Sequence, residues 1–179
     1  MLFNKNRLYV ALYARGGRPT MPGKEDTYHW AFLVGPKVEV KSSKGTRYQV
    51  KQRLQIVGDS EWDFEERECP LTPTNMLLVR VVVGKIIDGN RLAEILRNTP
   101  VREDQPGWNC VAWVKEALES LANDSKALGT SVTEWDKVRN AAMEYCQQKK
   151  DQHRFNAWSN FDMGKTPTYD MLELKETII

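Results

Sequence analysis

The sequence predicts an α+β fold, a mainly antiparallel sheet of about five strands from the N-terminal half packed against about three helices from the C-terminal half. Three observations predict it. Apolar residues alternate with period two along the first half, and they recur at helical spacing along the second. The 179 residues amount to a single domain, 1–179, large enough to bury about two-thirds of the surface of its unfolded chain. No internal repeat, low-complexity tract or linker interrupts it.

Arg7–Ala14 places Leu8, Val10, Leu12 and Ala14 on one face of a strand and Tyr9 and Tyr13 on the other. Residues 15–23, dense in Gly and Pro, form a loop. Tyr28–Val34 is apolar on both faces and stops at Gly35-Pro36, as expected of a strand interior to a sheet. Lys37–Lys41 and Thr46–Lys51 read as a hairpin turning through residues 42–45, and Leu54–Val57 offers a further short strand. Residues 58–75 are acidic and irregular. Met76–Val83 carries the strongest β signal, with Leu77, Val79, Val81 and Val83 on one face. The first helix, Asn90–Arg97, opens after Asp88-Gly89 and closes before Pro100. The second starts near Asn109 and repeats Val111, Val114, Ala117, Leu118 and Leu121 at helical spacing. The third follows Thr133–Asp136, a capping-box-like start, with Trp135, Val138, Ala142 and Tyr145 on its apolar face. The tail after Gln152 mixes aromatics with Pro167 and shows no assignable element.

Lys and Arg number 26 and Asp and Glu 24, a net charge of +2 that excludes the broad electrostatic footprint of a nucleic-acid or anionic-membrane binder. No apolar run approaches the length of a transmembrane helix. The N-terminal residues lack a secretion signal, and three widely spaced cysteines (Cys69, Cys110, Cys146) form no disulfide framework, which together point to the reducing cytoplasm. The two histidines, His29 and His153, make no metal-ligating pair with each other or with the cysteines, so no metal site and no cofactor are expected.

One constellation carries chemistry. Pro106-Gly107 makes a turn, Asn109 is a good N-cap, and Cys110 falls at the first helical position. There the aligned peptide dipoles favour negative charge, so the thiol pKa is expected to be lowered, and the exposed N–H groups beside Trp108 and Asn109 are placed to stabilise an oxyanion. A strand histidine facing a helix-start cysteine would supply the base, and His29 lies mid-strand upstream. The bland alternative is a small buried Cys110 and a satisfied core His29. Cys146, on the apolar helix stripe, and Cys69, before Pro70, read as structural, and His153 as a solvated helix end.

Tyr28-His29-Trp30-Ala31-Phe32-Leu33-Val34-Gly35 resembles the histidine strand of lecithin:retinol acyltransferase-like proteins, and Asn109-Cys110 resembles their Asn-Cys nucleophile motif. The order, His before Cys, is that of the circularly permuted branch of the NlpC-like papain fold, which includes the PPPDE isopeptidases. The whole chain also resembles small uncharacterised fungal proteins sharing Tyr-His-Trp-Ala, Trp-Asn-Cys-Val and the Pro167–Asp170 element. The resemblance implies a permuted papain-like fold and a cysteine-dependent hydrolase (cysteine peptidase-like) or acyltransferase. In it Cys110 would attack an amide, isopeptide or ester carbonyl and His29 would act as general base. It also implies a third polar residue on the next strand to hold the imidazole. Gln49 stands where the family often carries a second histidine, sharing a face with Arg47 and opposite Tyr48. Lipid-acting members end in a membrane anchor, whereas residues 172–179 are too short and too charged for one, which favours a peptide, isopeptide or other small-molecule substrate. A catalytically silent binding module that keeps the same fold is the alternative, its six Trp and six Tyr lining a groove.

Overall fold

A computed structural model describes residues 5–53, 61–73 and 76–179. Strands β1 (Asn6–Ala14), β2 (Tyr28–Pro36), β3 (Lys44–Arg53), β4 (Glu61–Pro70) and β5 (Leu77–Ile86) precede helices α1 (Gly89–Asn98) and α2 (Cys110–Asp124). Strand β6 (Leu128–Ser131), helix α3 (Trp135–Asp151) and strands β7 (Thr168–Asp170) and β8 (Lys175–Ile178) follow. The strands form one sheet in the order β4-β3-β2-β1-β5-β7-β8, with β6 also paired to β5. Every ladder is antiparallel except β5 with β7.

The α+β class and the three C-terminal helices are as the sequence predicts, but the described residues form eight strands rather than about five. Three of the additions, β6, β7 and β8, are 3 or 4 residues long, too short to display an alternation. The fourth, β4, lies in the acidic segment read as irregular. It is an edge strand whose charges pair across the ladder with β3, Arg47 and Lys51 onto Glu65 and Arg53 onto Glu61 and Asp63. Lys37–Lys41 is not a strand: Val38 and Val40 are 65% and 67% exposed, and β3 pairs directly with β2 instead. Leu54–Val57 lies outside the described residues.

The core follows from the two periodicities. Leu8, Val10, Leu12, Trp30, Phe32, Val79 and Val81, all completely buried, form the sheet face that the helices cover. Trp113 of α2 meets Phe32 edge-on at 5.7 Å, and Trp135, at the start of α3, lies 5.4 Å from Trp30. Tyr9, Ala11, Tyr13, Ala31, Leu33 and Val82 make a smaller cluster on the opposite face. Asp88 caps α1 through a bond from the Arg91 N–H. The capping box expected at α3 does not form: Glu134 is its N-cap and makes no side-chain bond there. The tail is held by distant partners, chiefly buried Arg154, which donates to the carbonyls of Asp162, Lys165 and Ile179. Among the described residues no helix is long and apolar enough to cross a membrane.

Trp113 joins α2 to both Phe32 and Phe64 and donates its indole N–H to the Thr99 carbonyl. Trp113→Ala is expected to cost about 3–5 kcal/mol of unfolding free energy, read from urea denaturation.

Candidate active site

The turn before α2 sets the position of Cys110. Gly107 takes φ +76°, open to glycine at little cost, and the Trp108 N–H closes the turn onto the Gln105 carbonyl. The chain then reaches Asn109 in an extended conformation, where the side-chain oxygen accepts from the Val111 and Ala112 N–H groups at 3.0 and 3.2 Å. Asn109 is therefore the N-cap and Cys110 the first helical residue. Two first-turn N–H groups are committed to this cap, so the Cys110 N–H is the donor left at the helix start for an oxyanion. The Asn109 amide nitrogen points to the Met21 sulfur, 3.4 Å away. Trp108 is buried beside Trp62, its indole N–H without a partner.

Strand β2 sets the position of His29. Its register with β3 runs through Phe32↔Tyr48, Leu33↔Arg47 and Val34↔Thr46, and the 28–31 end of β2 lies beyond that pairing. There the Trp30 N–H is directed at the Cys110 sulfur, which sets the start of α2 against β2. His29 leaves the opposite side of the strand, its ring 5.8 Å from that of Tyr13. Its Nε2 lies 2.7 Å from Gln49 Oε1. The Gln49 amide nitrogen in turn donates to Glu65 Oε1 at 2.9 Å, and Arg47 and Lys51 also donate to that carboxylate.

This chain has a direction. The Lys51 ammonium, then Arg47 and Gln49, hold the Glu65 carboxyl down to about 2, so it is an anion that only accepts. Gln49 must turn its N–H to Glu65 and its oxygen to His29, and His29 must carry its proton on Nε2. Nδ1 is left with a lone pair, the form a general base needs.

The charges at Cys110 differ from the expectation. The thiol is 2% exposed, and burial pushes its pKa up rather than down. The N–H groups of Trp30, Cys110 and Val111 and the Arg15 guanidinium pull the other way and are outweighed. A helix N-terminus stabilises an anion by about 0.3–1 kcal/mol at the surface, whereas burying an unpaired charge costs several. Burial likewise holds the His29 imidazole below its usual range, with Arg47 and Arg15 adding to the push and Gln49 opposing it. Thiol and imidazole are thus both neutral at rest, and Arg15 acts on both.

Of the residues singled out in the sequence, His29 and Gln49 touch, Asn109 caps the helix that Cys110 begins, and Trp30 links β2 to the sulfur. Cys146 is buried, Cys69 lies half-buried on β4, and His153 is exposed just beyond α3. Glu65 and Arg15 are not among those residues, and the sequence marks Tyr13 only as a strand-face residue. Only the pairing of Gln49 with Glu65 across β3 and β4 could have pointed to Glu65, and that register depends on recognising β4.

Residues 5–178 match a family of unknown function (DUF6914), and the chain belongs to that family. No curated protein and no solved structure matches the chain.

The relay makes stability depend on pH at two places. Glu65, lowered in the fold from 4.5 to about 2, stabilises the native state above pH 4.5 and ceases to as pH falls toward 2. His29, lowered from 6.5, favours the fold while neutral, and its contribution is lost as pH falls below 6.5. Urea denaturation across pH 2–7 should show Glu65→Gln flattening the lower limb, while His29→Gln flattens the limb beginning at 6.5.

Proposed function

We propose that this member of the family is a thiol hydrolase or acyltransferase acting on an amide, isopeptide or ester carbonyl, built on a circularly permuted papain-like arrangement. The observation that carries the reading is the directed chain Glu65–Gln49–His29, which leaves His29 Nδ1 as a base on the strand whose next N–H meets the Cys110 sulfur. Three free cysteines among the described residues support a reducing, cytoplasmic setting.

In this mechanism Nδ1 takes the Cys110 proton through an intervening water, since among the described residues no hydrogen bond joins the two side chains, as the sulfur bonds to the substrate carbonyl carbon. Because thiol and imidazole start neutral, the transfer accompanies attack and no ion pair precedes it. The oxyanion meets the Cys110 N–H and the Arg15 charge. The carbon–nitrogen or carbon–oxygen bond then breaks, and the imidazolium returns its proton to the departing amine or alcohol. Water or an acceptor nucleophile attacks the thioester, giving its proton to Nδ1, and the sulfur leaves to recover that proton. Gln49 and Glu65 touch no substrate and act as positioning residues, keeping the ring oriented and its Nε2 protonated throughout.

The alternative, a silent binding module with the same fold, draws on one observation, the near-complete burial of Cys110.

Incubation with p-nitrophenyl acetate separates the two. The thiol-enzyme reading expects a burst of p-nitrophenol and an acetyl group on Cys110 by mass spectrometry. Cys110→Ala abolishes the burst, His29→Ala slows it by about 100-fold or more, and Gln49→Ala by about tenfold. The rate holds level toward about pH 8 and falls on the acid side with its inflection below 6.5, because only neutral His29 accepts a proton. Acetylation absent from Cys110, or unchanged by His29→Ala, overturns the reading in favour of the silent module.

A further inference from the structure

The sheet face away from the helices carries a second polar centre. Arg80 on β5 is 1% exposed, and its guanidinium carbon lies 4.4 Å from the centre of the Tyr9 ring. Its Nε donates to Thr168 Oγ1 at 2.9 Å and one terminal nitrogen, Nη2, pairs with Glu39. The other, Nη1, is buried without a hydrogen-bond partner. A buried guanidinium with an open donor is costly to keep unless something accepts from it.

Arg80 lines a cavity of about 510 Å³, within the range of small-molecule sites. Its apolar wall includes Tyr9, Leu71 and Val82, and its charged lining holds five basic side chains against three carboxylates. One of those carboxylates, Glu39, is already on Arg80, and Lys41 and Lys165 are exposed at the lining. Neither Cys110, His29 nor Gln49 lines this cavity, so it stands independently of the thiol chemistry.

We propose that the cavity binds a small amphiphilic anion, its acidic head on Arg80 Nη1 and its apolar body along Tyr9, Leu71 and Val82. The guanidinium reads a carboxylate and a phosphate monoester alike, since both offer paired acceptor oxygens. The Tyr9 ring beneath it and the Thr168 hydroxyl hold the fork in place, so little ordering is required on binding. Glu39 steadies the guanidinium and competes with the incoming anion for it, which limits affinity in the wild type.

Isothermal titration of the full chain with octanoate, octyl phosphate and 1-octanol tests this. At least one anion should saturate the protein with an affinity about tenfold or more above that of 1-octanol, and the tighter of the two identifies the head group. Glu39→Gln, which removes the competing charge, should tighten the anion several-fold. Arg80→Lys should weaken it by about tenfold or more, since an ammonium lacks the fork. Cys110→Ala should leave binding unchanged, keeping the outcome separate from the proposed reaction. The proposal is overturned if neither anion binds at about 10 mM, if 1-octanol binds as tightly as both, or if Glu39→Gln leaves anion affinity unaltered. The Glu39 variant decides the matter even where Arg80→Lys fails to fold.

Discussion

The end of pairing between β2 and β3 beyond Phe32↔Tyr48 is the constraint on which the rest of the site depends. Had the ladder continued to the end of β2, the strand would have had no backbone donor to spare for a third element. Because it stops, the Trp30 N–H is directed at the Cys110 sulfur. His29, one residue earlier, projects from the other side of the strand to reach Gln49. Strand β3, meanwhile, stays paired with β4 along its full length, so Gln49 and Glu65 remain opposite one another as a rigid backing. A strand paired on one side and open on the other is how β2 meets the start of α2 through one residue and the Gln49–Glu65 pair through its neighbour, from opposite sides.

Electrostatics at that place are settled by burial. The helix terminus, three N–H groups and Arg15 all favour a thiolate, yet enclosure by the core outweighs them. The imidazole is held neutral by the same cause. Glu65 behaves oppositely because its three donors include two cations, and its charge stays. The result is one fixed anion, held by two cations, at the outer end of a relay and two neutral groups at the inner end, so the carboxylate that orients the amide stays charged at rest.

The face of the sheet away from the helices carries a second, smaller core. Its small apolar cluster of Tyr9, Ala11, Tyr13, Ala31, Leu33 and Val82 lies between two polar centres. At one end Arg47 stands near the Tyr13 ring, beside His29, and at the other Arg80 stands over Tyr9. Each guanidinium is satisfied in part by a carboxylate and in part by an aromatic face, Glu65 with Tyr13 and Glu39 with Tyr9. The tyrosines that alternate with Leu8, Val10 and Leu12 along β1 are thus the floor on which both cations rest.

What the sequence determined by itself is what a few neighbouring residues decide. Alternation assigned β1 and β5, an apolar run ending at Gly35-Pro36 assigned β2, and the turn at Gly107 with the amide of Asn109 placed the start of α2 at Cys110. His29 on its strand and the sharing of one face by Arg47 and Gln49 were legible for the same reason. Strand β4 was not, because its stability comes from charges on β3 and not from its own pattern, and with it went Glu65. The β7–β8 tail was hidden likewise, since buried Arg154 and the β5 edge hold it from a distance. The direction of the Cys110 shift belonged to tertiary structure alone: the local dipole predicts one sign, and only the packing of core around the sulfur, a sum over residues remote in sequence, reverses it.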